Sequence, residues 1–99
     1  MYILISDELE TGQAMTSAAH GSLMCYLQYM HNPRMAEWLA SSFKKVICKV
    51  KVTDLENAMA EAGDGVWITE SRLGNSKVGA VFLPREEWPQ NFRYYKLWR

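Results

Sequence analysis

Residues Thr11–Met30, TGQAMTSAAHGSLMCYLQYM, form the stretch on which the reading of this chain turns. The segment is long enough for five helical turns and lies directly after a short apolar run, Tyr2–Ser6. Met15, Ala18, Ala19, Ser22, Leu23, Tyr26, Leu27 and Met30 recur at three- and four-residue steps, which predicts one buried helical face. Gln13, Ser17 and His20 fall at the same steps on nearly the opposite side, flanked by Thr16 and Met24, and make that side the candidate site. Asp7, Glu8 and Glu10 put negative charge beside the positive end of the helix dipole, and Thr11 is the expected N-cap.

Working outward, Tyr2–Ser6 reads as a strand buried on both faces and therefore central in a sheet. The long helix should stop at Tyr29–His31, because Asn32-Pro33 disfavours further helix and supplies a new cap and first turn. Met35, Trp38, Leu39 and Phe43 predict a second helix ending near Ser42–Lys44. Lys45–Val52 alternates, with Val46, Cys48, Val50 and Val52 on one side and Lys45, Ile47, Lys49 and Lys51 on the other. Thr53 and Glu56 have capping-box spacing ahead of a helix over Asp54–Ala62, which Gly63 ends. Val66–Thr69 and Val78–Leu83 are the remaining predicted strands, separated by an exposed loop, Glu70–Lys77. A short helix interrupted by Pro89 is expected within Arg85–Arg93, and the closing YYKLWR should pack on the body. The sum is an α/β fold: a mixed four-stranded sheet with helices on both faces. Strands one to two and two to three are expected as parallel pairs, and the last strand is free to run antiparallel.

Length and composition narrow the function classes. Ninety-nine residues make one domain, 1–99, able to bury a core without disulfides or metal. Eleven basic residues balance eleven acidic ones, so the global positive field of a dedicated nucleic-acid binder is lacking. Cys25 and Cys48 have neither disulfide-framework nor metal-ligand spacing and read as reduced, buried thiols. His20 and His31 share a helical azimuth but stand roughly 16 Å apart along the axis, too far for one metal ion. The opening is too short for a signal-peptide core and no run reaches the about 18 apolar residues of a membrane span, so the expected location is the cytoplasm. Twelve percent aromatic residues exceed what a minimal core needs, which leaves monomer and homodimer both open.

The opening strand, the acidic step and GQAMTSAAHG resemble the class II, archaeal and eukaryotic type, peptidyl-tRNA hydrolases, whose signature reads approximately G-K-x-A-A-Q-x-A-H-A. The resemblance continues in Trp38, in FKKVICKVKV, in the capped helix that follows and in PREEWPQNFRYYKLW. It implies a three-layer α/β/α sandwich around a mixed four-stranded sheet, and hydrolysis of the ester joining a peptide to the terminal ribose of tRNA; the residues themselves indicate no metal site, and no cofactor is expected. Ala18, Ala19, His20 and Gly21 keep the signature. Its lysine, central to the family's chemistry, is matched here by Gln13, and its glutamine by Ser17. The family's later acid is matched by Glu70, within a shortened ESRLGNSK loop.

Two readings of these residues follow. In one, water attacks a tRNA-linked ester, with Gln13, His20 and Glu70 catalytic and Ser17, Thr16, Arg72 and Lys77 holding the substrate. In the other, the loss of the lysine leaves an inactive module that binds tRNA or a protein partner, because a neutral amide stabilises developing negative charge less than an ammonium does. On the bland view Gln13 and Ser17 are solvated and His20 is structural. Lys44, Lys45, Lys49, Lys51, Arg72, Lys77, Arg93, Lys96 and Arg99 either form a basic strip for the tRNA backbone or guard a strand edge against pairing. Tyr94, Tyr95 and Trp98 either stack on bases or cover the sheet.

Overall fold

In the computed structural model, which describes residues 1–99, the central strand is the one the sequence placed there. β1 (Tyr2–Ser6) lies third in a mixed five-stranded sheet of order β3-β4-β1-β2-β5, and Ile3, Leu4 and Ile5 are fully buried. α1 (Thr11–Tyr29) and α2 (Pro33–Ala40) carry the chain across one face to β2 (Val46–Val50), which pairs parallel to β1. α3 (Val52–Ala62) covers the other face and leads to β3 (Gly65–Glu70) at the edge. β3 therefore does not pair with β2 as expected. It forms an antiparallel hairpin with β4 (Ser76–Phe82), which inserts antiparallel beside β1. A two-residue β5 (Lys96–Leu97) adds a fifth strand, antiparallel to β2, to the predicted four.

The three layers follow from two side-chain sets. Ile3, Ile5, Ile68, Val78 and Val81 meet Ala14, Ala18 and Cys25 of α1 and Met35 and Trp38 of α2. Leu4, Cys48, Val50, Ala80 and Phe82 meet Leu55 and Ala58 of α3 and Phe92. The closing segment supplies much of the aromatic surplus to this second layer: after Pro89 a short 3-10 turn, Gln90–Tyr94, buries Phe92 among Tyr2, Phe82, Trp88 and Tyr95. Tyr94 points outward and remains exposed.

α1 is turned differently from the sequence expectation. Its buried residues are Ala14, Ser17, Ala18, Gly21 and Cys25, whereas Met15, Leu23, Leu27 and Met30 are exposed at 68, 57, 58 and 42 %. At 3.6 residues per turn, the buried face lies about a third of a turn from the predicted one. The cause is the close approach of helix to sheet. Every residue that α1 buries is small, and a Cβ on Gly21 would already displace the end of the Ile68 side chain.

The helix starts also shift. Glu10, not Thr11, is the N-cap of α1, and Gln13 closes the box by accepting from the Glu10 amide through Oε1 at 3.0 Å. In place of the box expected of Thr53 and Glu56, the Asp54 carboxylate accepts from the Lys51 amide at 3.0 Å, and α3 begins earlier, with Lys51 at its N-cap position. Asn32 caps α2 as read, accepting from the Arg34 amide at 2.9 Å. Arg34 then ties the layers together, with Nη2 2.8 Å from the Asp64 carboxylate and Nε donating to the Pro84 carbonyl at 3.0 Å.

The two thiols are buried, at 0 % and 1 % exposure, and burial pushes Cys25 up to about 12 and Cys48 up to about 11. Neither should react with a disulfide reagent at pH 8 in the native protein, and both should react once it is unfolded. Because the unfolded thiols ionise first, stability should fall as pH rises above about 9, a loss that denaturant titrations at pH 8 and 10 would read. Rapid labelling of native protein would contradict this burial.

Candidate functional site

The site is built where two segments distant in sequence meet. β1 ends at Ser6, whose hydroxyl accepts from the Glu8 amide at 3.2 Å, and the Leu9 amide donates to the Ser6 carbonyl at 3.3 Å, which turns the chain into α1. The first turns of α1 then present Gln13, Thr16 and His20 along one flank. Opposite stands the β3–β4 hairpin. Its register slips at Ile68/Thr69, where β4 carries the additional residue Val78, so the hairpin end is re-aimed. Glu70 closes β3 and caps the 3-10 turn Ser71–Leu73, its Oε1 accepting from the Arg72 amide at 3.1 Å.

Gln13, Thr16, His20, Glu70, Ser71 and Arg72 line one cavity of about 320 Å³. Five of these six were candidates from the sequence. Ser71 was not, and the only signal for it was its place next to Glu70 in the shortened loop. The lining has no apolar side chain, so the cavity suits a polar ligand held by hydrogen bonds and charge.

Three details define what the groups can do. The Gln13 carbonyl oxygen is committed to the helix cap, which leaves its NH₂ as the group able to donate to a ligand. The Thr16 hydroxyl donates to the Gly12 carbonyl at 3.2 Å and retains acceptor capacity. Arg72 brings a guanidinium with no carboxylate partner, since the one ion pair in the structure is Arg34–Asp64. No cluster of three or more His, Cys, Asp or Glu side chains is arranged to hold a metal ion.

Two candidates are not in this cavity. Ser17 is buried, at 1 % exposure, because its position falls on the core side of Gln13 once α1 is turned as described; it cannot bind substrate in this arrangement. Lys77 lines the neighbouring cavity of about 410 Å³, together with Ser6, Glu8, Leu9, Gln13, Leu73, Ser76 and Val78, and its Nζ lies 4.4 Å from the Trp67 ring centroid. Gln13 belongs to both cavities, so the neutral residue at the signature position has Arg72 in one and Lys77 in the other.

The family model for peptidyl-tRNA hydrolase PTH2 matches residues 1–69, from β1 to the penultimate residue of β3. The chain belongs to the peptidyl-tRNA hydrolase PTH2 family. The sandwich around a mixed sheet agrees with that membership, with β5 as an additional short strand. No single curated relative matches the chain. The matched region holds Gln13, Thr16 and His20 and stops just before Glu70, Ser71 and Arg72, so the half of the cavity contributed by the hairpin lies outside it. No helix of the structure is long and apolar enough to cross a membrane.

Proposed function

We propose that this family member acts in the cytoplasm as a single-domain hydrolase of the ester in peptidyl-tRNA or a related tRNA-linked acyl ester. The observation that carries the reading is the convergence of Gln13, Thr16 and His20 from α1 with Glu70 and Arg72 from the hairpin around one polar cavity. In this mechanism His20 takes a proton from a water molecule as the oxygen attacks the ester carbonyl. The tetrahedral intermediate collapses as the ribose oxygen leaves and is protonated, giving a free peptide carboxylate and a tRNA hydroxyl. The Gln13 NH₂ and the Arg72 cation steady the developing oxyanion in place of the signature lysine. Glu70 orders the 3-10 turn through one carboxylate oxygen and leaves the other to orient water, and Thr16 contacts the ribose or phosphate.

Single-turnover incubation with labelled peptidyl-tRNA, enzyme in excess, should release peptide above the buffer rate. No release would sink the reading. The competing reading, a tRNA-binding module without turnover, is favoured by the commitment of the Gln13 carbonyl to the helix cap. Gln13→Lys separates the two. With an ammonium restored beside Arg72, the single-turnover rate should rise about tenfold, within what one added oxyanion donor supplies. The lost cap should cost about 0.5–1 kcal/mol, visible as a slightly lower melting temperature. A rate still at the buffer level would leave the binding module standing.

A further inference from the structure

On the edge of the sheet opposite β3, Lys49, Lys96, Leu97 and Arg99 line a groove of about 440 Å³ that contains no acidic side chain. Lys49 and Lys96 are direct register partners in the antiparallel β2–β5 pair, so their side chains leave on the same face. Like charges placed directly opposite each other destabilise a strand pair. Edge protection does not account for Lys49, because β5 covers the edge of β2 and the lysine stands within the ladder. Lys49 Nζ donates to the Arg99 carbonyl oxygen at 3.2 Å. An aromatic face accompanies the cations: Lys49 Nζ lies 4.4 Å from the Trp98 ring centroid, and the Trp98 amide is held by the Ile47 carbonyl at 2.9 Å. Three cations, a repelling pair and a partly exposed indole in a chain of zero net charge describe a locally concentrated anion site.

We infer that the Lys49–Lys96–Arg99 groove docks backbone phosphates of the RNA body of the substrate, at a distance from the ester-cleaving cavity. The inference rests on the proposed tRNA-linked substrate and adds a second point of contact to it. Four strand-to-strand steps separate β3 from β5, roughly 19 Å across the sheet. That span is several phosphates long on a nucleic-acid strand. A substrate touching both places must carry several nucleotides beyond its reacting end, which a tRNA does and a small ester does not. Of the nine basic residues read from the sequence, Arg72 lines the ester cavity and Lys77 the one beside it, while Lys49, Lys96 and Arg99 form a separate group.

The test measures binding of labelled deacylated tRNA against salt for the wild type, K49Q/K96Q and K49R/K96R. K49Q/K96Q should bind about tenfold more weakly at low salt, with a log–log salt slope about 2 shallower, and K49R/K96R should restore both. The melting temperature of K49Q/K96Q should stay within about 4 °C of wild type, since the relieved repulsion offsets the lost Lys49 contacts to Arg99 and Trp98, and an unfolded variant is thereby distinguished from a binding defect. Wild-type binding with K49Q/K96Q unchanged in affinity and slope overturns the groove alone and leaves the hydrolase reading intact. A wild type that binds no tRNA at any salt overturns the tRNA reading itself. Displacement of tRNA from the wild type by a polyglutamate peptide at equal charge concentration overturns the assignment to RNA.

Discussion

Gly79→Ala should lower folding stability by about 3 kcal/mol, the upper end of what one inserted methyl costs in a packed interior. Gly79 is buried in β4 and faces Ile5 of β1 in the ladder and Ile68 of β3 on its other side. A Cβ there would stand 2.6 Å from the Leu4 carbonyl oxygen, 3.0 Å from Ile5 Cδ1 and 3.3 Å from Ile68 Cδ1. The two isoleucine ends can swing aside, but the carbonyl belongs to the central strand, and moving it disturbs the β1–β2 and β1–β4 pairings together. In a domain of this size, 3 kcal/mol corresponds to a fall in melting temperature of roughly 12–24 °C. Gly12→Ala is the control: a Cβ at Gly12 meets nothing within 4 Å, and the substitution should be neutral or slightly stabilising in a helix. Thermal unfolding followed by circular dichroism reads both. A Gly79→Ala protein melting within about 3 °C of wild type would mean that β4 yields far more easily than this packing allows.

The same close packing explains what the sequence does and does not disclose. The central strand, the Asn32-Pro33 break and the small-residue run after Thr11 are local signals, and the structure uses each of them. The orientation of α1 is not a local property. Hydrophobic periodicity weights large side chains, and Met15, Leu23, Leu27 and Met30 outweigh Ala14, Ser17 and Gly21 in the pattern. The distance between helix and sheet reverses that choice, and it depends on Ile68, almost fifty residues later. The pairing of β3 with β4 and the two-residue β5 are equally non-local, fixed by partners and not by propensity.

The site follows the same rule. The spacing of Gln13, Thr16 and His20 places them on one flank, and they remain there after the helix is turned because they lie beside the buried face and not within it. Ser17, one step nearer the core, does not. Glu70 and Arg72 were reachable from the family's motif, but their approach to α1 depends on the register slip at Ile68/Thr69, for which the sequence carries no clear mark.

His20→Ala should reduce single-turnover release of peptide from peptidyl-tRNA by about 10²–10⁴-fold, the contribution usual for a positioned general base. The case rests on which groups in the cavity can take a proton and which are already engaged. The Gln13 amide is not a base, Thr16 donates to the Gly12 carbonyl, Ser71 is a hydroxyl and Arg72 a permanent cation. Glu70 remains, yet one of its oxygens is spent on the Arg72 amide, so its removal should loosen the turn as well as alter chemistry. His20 is exposed on the helix surface, and its truncation should leave stability within about 0.5 kcal/mol. Affinity for deacylated tRNA should stay within about twofold, since an imidazole that acts on water contributes mainly in the transition state. That combination, lost turnover with retained binding and folding, assigns proton transfer to His20. Equal losses in binding and turnover would instead make His20 a substrate contact, and an unchanged rate would pass the base role to Glu70, where Glu70→Gln, which keeps the acceptor for the Arg72 amide and removes the charge, becomes the deciding variant.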